Sequence, residues 1–489
     1  MNSKEHIIKD AFIQFDNEIG VPFSLFNNDY HFGILNIEIA PVEITNTPQH
    51  IFFSIDVSGS MNDICNDGRT KMYHVINATK NIMTLLAESN KKNISVEVYG
   101  FDNNIHKILE NTTVSRDNIH VIHDIINKIE PLSSTDIELA LNNANDSIDI
   151  TKICENSHIF LTDGNSTAGS DNPKKLYQIV NDKYKNVFIG FGSDHNSILL
   201  QKLASKKNGA YYFADQIENS GFIFGEILHS ILYQSINNVI IDINDGEIYD
   251  YKTDTWNNTL HISSLLGEDK KIYHIRSKTP ENVYGTIFGK DIAHNHKDIR
   301  ELYHVNSIEK TSLVKYIFRQ KVQEILFEAN NFSCNDKRMD FDKKKDIKHK
   351  IKYFFDLLKD HIDKNMLEDD VFYKTLADDL YITYKTFGKD NAGMYSGSRH
   401  HSQGRQTSYN VSKIHNRDKG LSFFTPMKRL NGNIFLQNFN NNNSSDEDSD
   451  LEHTLDTSLL NETNTTPTQR KLMTFVSSGK SCEEDESLV

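Results

Sequence analysis

A chain of 489 residues with 37% hydrophobic content is long enough for several cores and is neither a fibre nor an unfolded polymer. Its formal charge of -15 argues against nucleic acid as a main partner, because phosphate binding needs clustered Lys and Arg. The four cysteines, Cys65, Cys154, Cys334 and Cys482, are scattered with no C-x-x-C pair, which excludes a zinc ribbon or RING finger and fits a reducing compartment.

The first 32 residues read as an N-terminal segment without a signal-peptide core, and no apolar run in the chain reaches membrane-spanning length. A strand follows at FGILNIEIAPVEI, within 33–47, placed to join a later β-sandwich. From 48 to 235, β-rich runs alternate with stretches of helical period, the pattern of an α/β domain with a doubly wound, mostly parallel sheet. Strands are expected at 50–56, 94–101, 158–162, 187–192 and 210–213, with IHKIL (105–109) as an antiparallel edge. Met72, Val75, Ile76, Thr79, Ile82, Met83 and Leu86 make one helix face, and Asp171 before Pro173 reads as the acidic cap of another helix.

Short alternating segments over 236–306 predict a small antiparallel β-sandwich. A helical region over 307–390 carries two stripes: Val314, Ile317, Phe318, Val322, Ile325 and Leu326, then Ile347, Ile351, Phe354, Leu358 and Ile362. From 391 to 489 the composition is that of a disordered tail, rich in Ser, Asn, Gly and charge. The pairs His294 with His296 and His400 with His401 have no neighbouring carboxylate or Cys constellation and read as solvated loop residues. The basic stretch Arg399 to Arg429 reads as solubilising, or as contact for a protein partner.

The chemistry concentrates at IFFSIDVSGSMND (51–63), where an apolar strand runs into Asp56, Ser58 and Ser60 at alternate positions. Oxygen donors at that spacing suit a hard cation, and Mg²⁺ keeps several waters, so few protein ligands suffice. Thr135, in a loop opening a helix, and Asp163, directly after a strand, stand where the same end of the sheet should be. Together the five residues resemble the metal-ion-dependent adhesion site of the von Willebrand factor A (VWA) family, over about residues 48–235. Taken whole, the chain resembles intracellular and large-DNA-virus VWA proteins.

The resemblance implies a non-enzymatic module that binds Mg²⁺ (or Mn²⁺) through Asp56, Ser58, Ser60, Thr135 and Asp163, and takes an Asp or Glu carboxylate from a protein partner. Only two of the five side chains are charged, which leaves the ion net positive toward an outside carboxylate. No histidine lies in the three loops to act as a base, so catalysis by the metal is the alternative, and a structural subunit with an idle site the third reading. The acidic run Asp446, Glu447, Asp448, Asp450 and Glu452 is a candidate self-ligand. The expected location is the cytoplasm, or the virion if the source is a large DNA virus.

Overall fold

The computed structural model describes residues 7–15, 29–41, 48–64, 68–89, 93–151, 154–164, 166–191, 195–214, 220–292, 296–305, 313–335, 341–389 and 392–404. They fall into two compact units, one containing the described residues up to 305 and the other those from 313 onward. The acidic run at 446–452, His294 and the basic stretch beyond residue 404 lie outside the described residues.

The chain opens with β1 (Ile8–Phe15) and β2 (His31–Ile39), so the N-terminal segment contains a strand that its short alternating pattern did not announce. Then follows the α/β part: β3 (Gln49–Asp56), α1 (Lys71–Glu88), β4 (Ile94–Phe101), β5 (Ile105–Thr113), α2 (Ile119–Ile126), α3 (Ile137–Ser147) and β6 (Glu155–Thr162). It ends with α4 (Pro173–Ile179), β7 (Lys185–Phe191), α5 (Ser197–Ala204), β8 (Gly209–Ala214) and α6 (Ser220–Leu232). The sheet order is β5-β4-β3-β6-β7-β8, parallel throughout except for the antiparallel edge β5.

Every residue of β3 is buried, as expected of a central parallel strand covered on both faces. Ile51, Phe53 and Ile55 point into one core with Val75, Ile82 and Leu86 of α1 and Ile227 and Ile231 of α6. Phe52 points the other way, toward Tyr99, Tyr184 and Ala144. Burying side chains of this size stabilises the fold by about 1.5–3 kcal/mol each. The edge β5, in contrast, exposes Lys107 and Glu110, charges that discourage further strand pairing. Helix α4 is capped by Asn172, whose Oδ1 accepts from the amides of Lys174 and Lys175, not by Asp171. The cap must sit directly before the N1 proline, and Asp171 is one residue too early.

From β3 the chain moves through α1 to β4 on one side, and β6 later inserts on the other. The crevice at the carboxyl ends of β3 and β6 is therefore the topological switch point where open parallel sheets bind ligands.

The remaining strands of this unit are β9 (Gln234–Asn244), β10 (Glu247–Asp250), β11 (Thr255–Asn257), β12 (Thr259–Leu266), β13 (Lys270–Ser277), β14 (Tyr284–Asp291), β15 (Lys297–Glu301) and β16 (Tyr303–His304). One sheet runs β11-β10-β13-β2-β1-β16 and the other β12-β9-β14-β15. All pairings are antiparallel except β1 with β16. Leu35, Ile37 and Ile39 of β2 and Ile8, Ala11 and Ile13 of β1 share a core with Ile236, Ile241 and Ile243 of β9 and Ile287 of β14. The α/β domain is thus an insertion between two strands of a sandwich.

The second unit contains α7 (Val314–Asn335), α8 (Phe341–Asn365), α9 (Val371–Thr386) and α10 (Ala392–Gly404). Ile347, Ile351, Phe354, Leu358 and Ile362 are all buried on α8. Helix α10 carries the helical unit past residue 390, where composition places the start of a tail. Its polar residues face inward: Arg399 Nε lies 3.6 Å from Asp379 Oδ1, and Gln403 donates to Asp379 Oδ2 at 2.7 Å. His400 is buried in that helix rather than solvated in a loop. His296 lies 3.4 Å from the buried carboxylate of Asp291. Among the described residues no helix is long and apolar enough to cross a membrane.

Candidate metal centre

Asp56 is the last residue of β3 and Asp163 the first after β6, so adjacent parallel strands deliver two carboxylates to one crevice. Both are fully buried. After Asp56 the chain turns into a short 3-10 helix over Gly59–Asn62, anchored by the buried Met61. That turn brings Ser58 and Ser60 back over the strand end. Ser58 donates its amide to Asp56 Oδ1 (2.9 Å), the two serine hydroxyls are 3.1 Å apart, and Ser60 Oγ donates to Asp163 Oδ1 at 2.8 Å. Asp56, Ser58, Ser60 and Asp163 therefore form one continuous hydrogen-bonded chain.

Thr135 is also buried, and its loop is tied by backbone bonds to the serine turn. The amide of Gly59 donates to Ser133 O, fastening the Thr135 loop to the serine turn, and the amides of Thr167 and Ala168 donate to Thr135 O. Thr167 Oγ1 accepts from the Thr135 amide at 2.8 Å. Asp136 then caps α3 by accepting from the Leu139 amide, which fixes where the helix starts. Gly169, at φ 66°, passes so close to Asp136 that an added Cβ would sit 2.2 Å from its Oδ1, so only glycine closes this loop.

Two residues at the crevice escape a reading of the sequence. Thr162 donates its hydroxyl to Asp56 Oδ2 at 2.6 Å, so both oxygens of Asp56 accept hydrogen bonds. Lys71, the first residue of α1, places Nζ 2.7 Å from Asp163 Oδ2 and 3.4 Å from Asp63 Oδ2. A cation at a helix N-terminus opposes the helix dipole, and that misplacement was its signal in the sequence. At the neighbouring strand end, Asp102 accepts from the Asn104 amide and lies 2.9 Å from His106 Nε2.

The electrostatics fit a cation. Burial, with Asp163 as a like-charged neighbour, pushes the Asp56 carboxyl up to about 6, although the hydrogen bonds from Ser58 and Thr162 work the other way. Two buried carboxylates and the two serine hydroxyls are hard-oxygen donors gathered in one crevice, and the Thr135 loop is stitched to the same serine turn. Among the described residues no group of three or more His, Cys, Asp or Glu is arranged to hold a metal, so hydroxyls are indispensable to any such site here.

An open parallel sheet with helices on both faces, an antiparallel edge strand and an Asp-x-Ser-x-Ser turn at the switch point defines the VWA fold. Residues 50–226 match the von Willebrand factor type A domain family, and the chain accordingly carries a VWA domain. No curated protein matches the chain in sequence. Among solved structures, a von Willebrand factor type A protein from Catenulispora acidiphila is 13% identical, with a TM-score of 0.52 over 83% of this chain and 98% of that one. The ArnB paralog VWA2 from Sulfolobus acidocaldarius is also 13% identical, with a TM-score of 0.47 over 80% and 97%. Proximal thread matrix protein 1 from the mussel byssus, solved with a zinc-occupied MIDAS motif, is 20% identical, with a TM-score of 0.32 over 38% and 46%.

Proposed function

We propose that this protein is a non-enzymatic, divalent-metal-dependent interaction module of the cytoplasm. Asp56, Ser58, Ser60, Thr135 and Asp163 act as a complete adhesion site for Mg²⁺ or Mn²⁺, and the bound ion accepts an Asp or Glu carboxylate from a partner protein. The observation that carries this reading is the hydrogen-bonded chain joining both carboxylates through the Ser58 amide and the two serine hydroxyls. Hydroxyls outnumber charges, so a bound ion keeps positive character and works as a Lewis acid toward an external carboxylate. Thr162 holds Asp56 in place, and the Thr167 contact holds Thr135.

Calorimetric titration of the full chain with Mg²⁺, Mn²⁺ and Ca²⁺ tests the assignment. Mg²⁺ and Mn²⁺ are expected to bind, and Ca²⁺ more weakly, since Ca²⁺ prefers six to eight oxygens with more carboxylate among them. Ca²⁺ binding tighter than Mg²⁺ would overturn the ion assignment, and metal-dependent hydrolysis of a phosphoester would overturn the non-enzymatic one.

A further inference from the structure

Lys71 is nearly buried, and it stands at a helix N-terminus that disfavours a cation. Its place is set by Asp163, which is fully buried and shares the crevice with Asp56. A lone buried carboxylate is costly to leave unpaired, and two side by side repel. The ammonium of Lys71 supplies the missing positive charge. It also has somewhere else to go: Asp63, mostly exposed, lies 3.4 Å from the same Nζ, and the lysine stem is flexible.

Resting on the adhesion-site reading above, we propose that Lys71 is a tethered counter-ion that competes with the metal for Asp163. Without metal it pairs with Asp163; when Mg²⁺ arrives, the ammonium swings away to Asp63. The charge count follows directly. Asp56 and Asp163 ionised carry -2, and Lys71 reduces this to -1, which weakens the pull on a divalent ion. Once the ion is in place, Asp56, Asp163 and the ion sum to zero, and Lys71 paired with Asp63 adds nothing to that count. The device therefore makes the metal bind more weakly than the carboxylate pair alone would hold it.

The experiment compares Mg²⁺ and Mn²⁺ affinity of the full chain with Lys71→Met and Lys71→Arg, together with thermal melting with and without metal. A like charge beside a titrating group shifts its affinity for a proton by about 10-fold or more, and the same Coulomb effect acts on a metal ion. Lys71→Met should bind Mg²⁺ about 10-fold tighter or more, and Lys71→Arg should stay close to the native affinity, because it keeps the charge. Without metal, Lys71→Met should melt several degrees lower, and saturating Mg²⁺ should raise its melting temperature more than that of the native chain.

Equal affinities in Lys71→Met and the native chain overturn the competition. Weaker binding in Lys71→Met overturns it too and makes Lys71 a positioning residue. If Lys71→Met binds the ion and the native chain does not, the competition stands in its extreme form. If none of the three proteins binds either ion, the adhesion-site reading itself fails, and the competition with it.

Discussion

The two ends of the central parallel sheet both bury polar and charged groups, and they do so in opposite ways. At the carboxyl ends of β3 and β6, acids and hydroxyls meet around Asp56 and Asp163, and a single side chain, Lys71, brings a positive charge to them. At the amino ends of β3 and β7, donors meet carbonyls. Gln49 donates to Ile231 O at 2.9 Å, and Lys185 donates to Ser230 O at 2.8 Å and Ser230 Oγ at 2.6 Å. Those carbonyls belong to the last turn of α6, which has no further amides of its own to satisfy them. One end is closed by the fold itself, with the lysine at the favourable pole of a helix dipole. The other sets two buried carboxylates against one lysine that stands at the unfavourable pole of its helix. Burial of charge marks function only where the fold has not already answered it.

That contrast predicts variants that separate metal binding from stability. The largest effect belongs to the carboxyl end: Asp163→Asn should lower Mg²⁺ affinity by about 100-fold or more while circular dichroism shows a folded chain, since the amide keeps the shape and one acceptor oxygen but loses the charge. Native Mg²⁺ affinity in this variant would remove the carboxyl end from the metal site.

Next comes the amino end. Burial pulls the Lys185 ammonium down to about 7, against the attraction of Glu226. A lysine whose folded value lies below its unfolded value is protonated more fully in the unfolded chain between those values. Stability therefore rises with pH from about 7 toward 10, by at most about 1.4 kcal/mol per pH unit. Denaturant melts of the native chain and Lys185→Met across that range should differ by this slope, and Mg²⁺ affinity at pH 7 should be the same in both. Parallel curves would place the ammonium in solvent.

The smallest expected effect is that of Thr162→Val, which keeps the shape and removes the hydroxyl that holds Asp56 Oδ2. Mg²⁺ affinity should fall about 10-fold, as when a ligand's supporting hydrogen bond is lost. An unchanged affinity would show that Ser58 alone orients Asp56.

Much of this architecture was legible because period and burial coincide. The run IFFSID reads as a strand covered on both faces, and the α1 and α8 stripes read as helices, since apolar spacing reports directly on which face is buried. Asp56, Ser58 and Ser60 were legible together because three oxygen donors at alternate positions after a strand have little local use. Thr135 and Asp163 needed the family resemblance to be chosen among many similar residues. Thr162 and Lys71 stayed hidden because their roles exist only across the chain, 106 and 92 residues from their partners. Helix α10 was hidden by composition. Its Ser, Gly, His, Arg and Gln resemble solvated chain, and their burial depends on polar pairing with Asp379 that no periodicity reports.

The insertion of the VWA domain between β2 and β9 has a consequence for the order in which this chain acquires its structure. Strand β2 ends at Ile39, and its neighbour β13 begins only at Lys270. During synthesis at about 5–20 residues per second, the pair β1 and β2 waits roughly 10–50 s for the strand that covers its edge. An isolated two-stranded pair is marginal in water, and its apolar face, Leu35, Ile37 and Ile39 with Ile8 and Ile13, stays uncovered for that time. The inserted domain, whose sheet pairs strands over shorter sequence distances, is free to fold first and bring its two ends, and with them the two halves of the sandwich, into reach of each other. A nascent chain arrested before residue 270 would thus carry a finished VWA domain beside an unfinished sandwich, and the exposed strand pair would be the surface a chaperone meets.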